Sequence, residues 1–199
     1  VLPVQKPHPP LWMMSRDPET LEFLAANGIN TGNFLVFSRE VAAPRYRKYL
    51  ENWDKAGWDR KPNIAYATTL YVDESDDKAI DVALKRASRA YEGILPLPEE
   101  TFENRLQAVL DMFVARGENP ASAMIAKIFD PDHILDNDLV FIGSPDTVAE
   151  ILQKAAETGL FNTCMGEFNF ADLPEDDLMR SIRLFGDKVI PALRDFEPF

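Results

Sequence analysis

The sequence is poor in the residues that most often declare a chemistry. Among its 199 residues it has one cysteine, Cys164, and two histidines, His8 and His133. A single cysteine excludes an internal disulfide and any paired-thiol motif, and it fits a reducing, cytoplasmic compartment. Cys164 lies in the apolar run LFNTCMGEF, where it reads as a buried structural thiol, with a reactive thiol as the alternative. His8 stands among prolines in KPHPP and His133 in DPDHILDND, so no two-histidine zinc helix can form. The acids around His133 do not have calcium-loop spacing, and the segment reads as a solvated loop. No metal site is expected. Basic residues are also scarce: 21 Lys and Arg face 33 Asp and Glu, a net charge of −12, which argues against a nucleic-acid partner. No apolar run reaches the ~18–20 residues that span a bilayer, so no membrane partner is expected. Gly-rich nucleotide loops and serine elbows are missing. Lys127 and Lys154 read as helix-surface residues, and no lysine stands at a strand end where a Schiff base would form. The first residues, VLPVQKPHPP, have neither the basic head nor the apolar core of a signal peptide and lack an initiator Met; they read as the middle of a longer protein.

What is present is a globular composition, 46% apolar and 27% charged. It is organised as strands alternating with helices. MMSRDPETLEFLAANG runs from apolar Leu11–Met14 through an N-cap at Asp17, Pro18 as first helical residue, Glu19 as first-turn acid and Gly28 as C-cap. LVFIGSPDTVAEILQKAAETG repeats the pattern, with Leu139–Ile142, a cap at Ser144, Pro145 opening the helix and Gly159 ending it. Further strands are predicted at Ile64–Val72 and Phe161–Met165, and further helices over 75–91 and 178–194. This alternation predicts an α/β fold of parallel β/α units. Two helical insertions interrupt it, near 39–58 and 98–127; in the second, Phe102, Leu106, Val109, Leu110 and Phe113 share a face and Gly117 caps the helix. In a β/α barrel such insertions carry functional loops at the C-terminal ends of the strands. Four units make half of an eightfold barrel, and the two exposed edges require either pairing in a dimer or a second half elsewhere.

Four stretches, LPVQKPHPPLWMMSRDPETLEFLAANG, ATTLYVDESDDKAIDVA, FIGSPDTVAEILQKAAETG and LFGDKVIPALRDF, resemble in that order the C-terminal half of the luciferase-like monooxygenase family. The resemblance implies a TIM-like β/α barrel of which residues 1–199 form the last four β/α units, Leu11–Met14 being the fifth strand and Phe161–Met165 the eighth. It implies reduced flavin mononucleotide (FMN) as cofactor, with a deazaflavin as the alternative, and oxidation of a small organic substrate with O2. A separate flavin reductase and a homodimer are further partners it implies. The turn after the fifth strand in this family binds the flavin phosphate, and the matching positions are Ser15, Arg16 and Thr20, with Met14 beside the flavin ring. A helix N-terminus, a hydroxyl and a guanidinium together suit an anion, although Asp17 and Glu19 in the same turn oppose it. An ordinary capped helix start with a solvated arginine, and a Met that fills the core, are the alternatives. The turn GSPDT resembles a second phosphate position, but Ser144 reads there as a plain N-cap. Glu167 and Phe168, after the last strand, are candidates to line the substrate or flavin pocket, or else belong to a loop with buried aromatics. No catalytic acid or base is assigned. A non-catalytic flavin-binding or interaction protein, dimerising through its open sheet edges, is the alternative function.

Overall fold

The computed structural model describes residues 4–15, 17–34, 39–90 and 130–199, together with Gln107, Asp111 and Ala115, the side chains of 39–41 excepted. Arg16 and most of the predicted helical stretch 98–127 lie outside the described residues. Gln107, Asp111 and Ala115 are helical and exposed at four-residue spacing, and Gln107 Nε2 donates to Asp111 Oδ1 at 2.8 Å.

Local capping chemistry starts the helices where the sequence places it. Asp17 is extended and its carboxylate accepts from Thr20 N at 2.8 Å; Pro18 then opens α1 (Pro18–Ala26), and Gly28 takes φ +66° just beyond its end. After β1 (Thr31–Phe34) comes α2 (Arg39–Ala56), whose Tyr46, Tyr49 and Trp53 recur at helical spacing and are buried. Each of two buried aromatics uses its polar tip. Tyr49 OH donates to Ile29 O at 2.8 Å, and Trp53 Nε1 to Arg60 O at 2.7 Å. β2 (Ile64–Val72) and α3 (Asp76–Ala90) follow, then α4 (Pro131–Asp136), β3 (Phe141–Gly143), α5 (Pro145–Gly159), β4 (Thr163–Glu167), and α6 (Glu175–Leu184), which runs through a π turn at Phe185–Val189 into α7 (Ile190–Ala192).

All pairings are parallel and centre on β2, which pairs with β1, β3 and β4. Along a strand, successive residues turn their backbone groups to opposite neighbours. Thr31 N donates to Asn63 O at 3.1 Å and Asn162 N to Ile64 O at 3.0 Å, so odd-numbered residues of β2 face β1 and even-numbered ones face β4. The alternation continues past both partners. Asp73 N donates to Gly143 O at 3.1 Å, so β3 takes up the line of β1; Val72 N donates to Ser181 Oγ at 2.8 Å, so α6 takes up the line of β4. On one face Tyr66 stacks with Phe141 and Phe161, at 5.9 and 5.1 Å. On the other, Phe34, in register with Ala67 and Met165, is 53% exposed and Met165 42%.

Several sequence expectations are corrected. Leu11–Met14 is neither a full strand nor buried. It makes one bridge, Trp12 to Asn30, backed by Met13 N to Asn30 O at 3.0 Å, and Leu11 and Met13 are 47% and 50% exposed, because it has a neighbour on one side only among the described residues. The predicted strand Leu139–Ile142 shrinks to Phe141–Gly143, since Leu139 N is taken by Ile134 O at the end of α4. It is an extension beside β2, and the strand between the edge segment and β2 is β1, which the sequence reading passed over. The last strand begins at Thr163 and not at Phe161, because Phe161 N closes α5 on Ala156 O and the Asn162 side chain takes Ile64 N. Leu160, at φ +54°, ends α5 in the position expected of Gly159. The final helix starts at Glu175, where three acids occupy the first turn, and ends at Ala192. His133 lies in α4 and not in a loop, since Asp130 and Pro131 supply a cap and a first helical residue.

Candidate functional site

Because the strands are parallel, their C-terminal ends gather along one rim, and ligands of such sheets bind there. The turn after the edge segment stands at one side of that rim. Ser15 Oγ accepts from Asp17 N at 3.1 Å, which leaves the hydroxyl proton to donate elsewhere. Thr20 is differently placed: its hydroxyl donates to Asp17 Oδ2 at 2.8 Å, as does its backbone N–H. These hydrogen bonds hold the Asp17 carboxyl below the usual carboxylate range. The protein's own carboxylate thus covers the amide that an external anion would use.

Met14 is half-buried, with its sulfur over Gly32 of β1. A methyl group on Gly32 would fall 2.6 Å from Met14 Sδ and 2.7 Å from Ala65 O, so only glycine lets the thioether lie against the strand. Gly32→Ala is expected to destabilise by about 1–3 kcal/mol, by overpacking against a backbone oxygen that cannot swing aside. Urea unfolding followed by circular dichroism measures it, and Met14→Ala should not restore the loss, since the clash with Ala65 O remains.

Glu167 and Phe168 stand at the end of β4, separated from the Ser15 turn by β1 and β2. Glu167 is exposed. Phe168 is half-buried and meets Phe185 of the π turn edge-on, ring centres 5.3 Å apart.

Between these two groups the structure assembles a polar cluster that the sequence reading missed. Asp73 follows β2 directly and its side chain is 2% exposed. Its Oδ2 accepts from Tyr71 OH at 3.0 Å and from Arg180 Nη2 at 2.8 Å, and its Oδ1 from Glu74 N at 2.7 Å. Arg180 also donates to Asp177 at 2.6 Å and to Tyr71 OH at 3.2 Å. Burial alone would raise the Asp73 carboxyl, but Arg180, the Glu74 amide and the Tyr71 hydroxyl hold it below its ordinary value. Burial, then Asp73, push the Tyr71 phenol up to about 12, so it is a neutral donor at physiological pH. The signal available in the sequence was an acid set immediately after a strand, in YVDES.

The second predicted turn is filled in the same manner as the first. Ser144 caps α5, while Asp76 of α3 accepts from Ser144 N at 2.6 Å and from Thr147 Oγ1 at 3.0 Å. A carboxylate from another helix sits where GSPDT would hold an anion, in keeping with the plain N-cap. Cys164 is half-buried, and burial of its sulfur pushes the thiol up to about 12. Among the described residues no group of three or more His, Cys, Asp or Glu could hold a metal ion, and no helix is long and apolar enough to cross a membrane.

The parallel strands, the helices between them and the shared rim define a partial β/α barrel. A family model described as luciferase-like monooxygenase matches residues 1–161, and the chain belongs to that family. No curated protein matches it. Among solved structures, monooxygenase RslO1 from Streptomyces bottropensis is similar at a TM-score of 0.63 and 17% identity, over 94% of this chain and 49% of that one. The oxygenating constituent of 3,6-diketocamphane monooxygenase from Pseudomonas putida, in complex with FMN, is similar at 0.62 and 16% identity, over 91% and 47%. The coenzyme F420-dependent tetrahydromethanopterin reductase from Methanopyrus kandleri is similar at 0.52 and 19% identity, over 92% and 50%. The chain therefore spans about half the length of these structures.

Proposed function

We propose that this chain forms part of a flavin-dependent monooxygenase and supplies one wall of its cofactor and substrate pocket. The observation that carries the reading is the rim of parallel strand ends in a chain of this family, bearing Ser15 on one side and Glu167 and Phe168 on the other. The 3,6-diketocamphane enzyme holds FMN and the Methanopyrus reductase depends on F420, which supports a flavin or a deazaflavin here.

The donor set fits a phosphate in part. Ser15 has a proton to donate, and Arg16, the next residue in the sequence, brings a residue type with a positive charge and a planar pair of donors. Thr20 serves the Asp17 cap in this arrangement and orients the turn. Met14, half-buried with its sulfur against Gly32, offers an apolar surface to a ring. The Asp73–Arg180 cluster fixes α6 to the end of β2 and so holds the floor between the two sides. When bound, the reduced cofactor supplies the electrons for O2 activation, and the protein positions it and excludes water.

The test is titration of FMN and of F420, separately, into the natural-length protein that carries this sequence. One of them should bind, and Arg16→Met should raise its Kd by about tenfold or more, as loss of a charge-assisted hydrogen bond does. Failure of both to bind overturns the reading.

A further inference from the structure

We propose that Asn27, in the turn that ends α1, is a site of spontaneous modification: it converts to aspartate and isoaspartate whenever the clamp formed by Trp58 and Arg60 opens. Asn27 is exposed and is the only asparagine of the chain followed by glycine. Glycine has no Cβ to shield its nitrogen. In the reaction Gly28 N attacks Asn27 Cγ, the new N–C bond closes a five-membered imide, and the side-chain amide leaves as ammonia with the proton that Gly28 N gives up. Water then opens the imide at either carbonyl. One opening leaves aspartate; the other leaves isoaspartate, in which the main chain runs through the former side chain and is one carbon longer.

The closed turn keeps the two reacting groups apart. Asn27 Nδ2 donates back to Phe23 O at 2.8 Å, and Gly28 N to Ala25 O at 3.3 Å. Residues after α2 hold the turn from outside: Trp58 Nε1 donates to the same Ala25 O at 2.8 Å, and Arg60 Nη2 to Gly28 O at 2.6 Å. The Trp58 ring lies so close to Gly28 that a methyl group there would fall 3.0 Å from it. Reaction therefore goes through local opening, which helix ends undergo far more readily than global unfolding. The product cannot return to the same turn. A carboxylate has no proton for Phe23 O, and its charge stands at the C-terminal end of α1, where the helix carbonyls repel it. In isoaspartate the extra carbon also displaces Gly28 from Trp58, just before Ile29 and Asn30, which hold Tyr49 OH and the edge segment that leads to Ser15.

The unaltered protein, incubated at mildly alkaline pH and mapped by peptide mass spectrometry, should gain aspartate and isoaspartate at Asn27 before any other asparagine. In urea, where the clamp is gone, the same protein should react at Asn27 about tenfold or more faster, since the rate follows the open fraction. Trp58→Ala, shown by circular dichroism to be folded, should react several-fold faster than the unaltered protein in native buffer. An Asn27 that stays intact in the native protein, a different asparagine that reacts first, equal rates in native buffer and urea, or a folded Trp58→Ala no faster than the unaltered chain would each overturn the proposal.

Discussion

Replacing Trp53 by alanine is expected to lower the unfolding free energy by about 3–5 kcal/mol, the usual cost of removing a large buried aromatic. In a chain of this size that is a fall of roughly 10 °C in melting temperature. Trp53 is 1% exposed and packs between Tyr49 and Trp58, at centroid distances of 5.8 and 6.0 Å, with the Arg60 guanidinium 4.8 Å from its ring. Its indole N–H also satisfies Arg60 O, so truncation opens a cavity and orphans a carbonyl together. Trp53→Phe separates the two: it keeps much of the ring and should lose about 1–3 kcal/mol, chiefly for the unpaired acceptor. The effect reaches the candidate site through Tyr49, the neighbouring turn of α2, whose hydroxyl holds Ile29 O just before the Asn30 bridge to the edge segment. Thermal unfolding by calorimetry checks the stability. A Trp53→Ala protein within 1 kcal/mol of the unaltered one would show that this aromatic cluster does not anchor α2.

Arg180→Met should cost about 2–3 kcal/mol at pH 7. Removing one partner of a buried ion pair leaves an uncompensated charge, here Asp73, and the loss is moderated because Arg180 is 39% exposed to solvent. The pH dependence distinguishes this from lost packing. The Asp73 carboxyl is depressed below its unfolded value of 3.8, so its contribution is fully present above about that pH and disappears as pH falls through the lower folded value. In Arg180→Met, burial dominates and favours the protonated acid. The difference between the two proteins should therefore be largest near neutrality and shrink below pH 4. Urea unfolding at pH 7 and pH 3.5 measures it; a gap that stays constant between the two would mean that Arg180 contributes through its aliphatic stem only.

What the sequence determined by itself was local. Asp17 with Pro18, and Ser144 with Pro145, start their helices because a cap and the amide it serves lie three residues apart. Ordered motifs also carried the family. What only the tertiary structure decided depends on partners far apart in the chain. β1 is TGNF, with no alternation of apolar and polar residues; it is a strand because β2 pairs along one side of it and Met14 packs into the space over Gly32. The strand read at Leu139 became an extension of the line of β1 because β2 is longer than its neighbours and leaves the Asp73 N–H to be paired. At the rim, Asp73 meets Arg180 and Asp76 meets Ser144 across the fold, so one acid anchors α6 and the other occupies a helix N-terminus. A carboxylate finds whichever donors the fold brings to it, and residues on different elements are brought together only by the packing of the sheet.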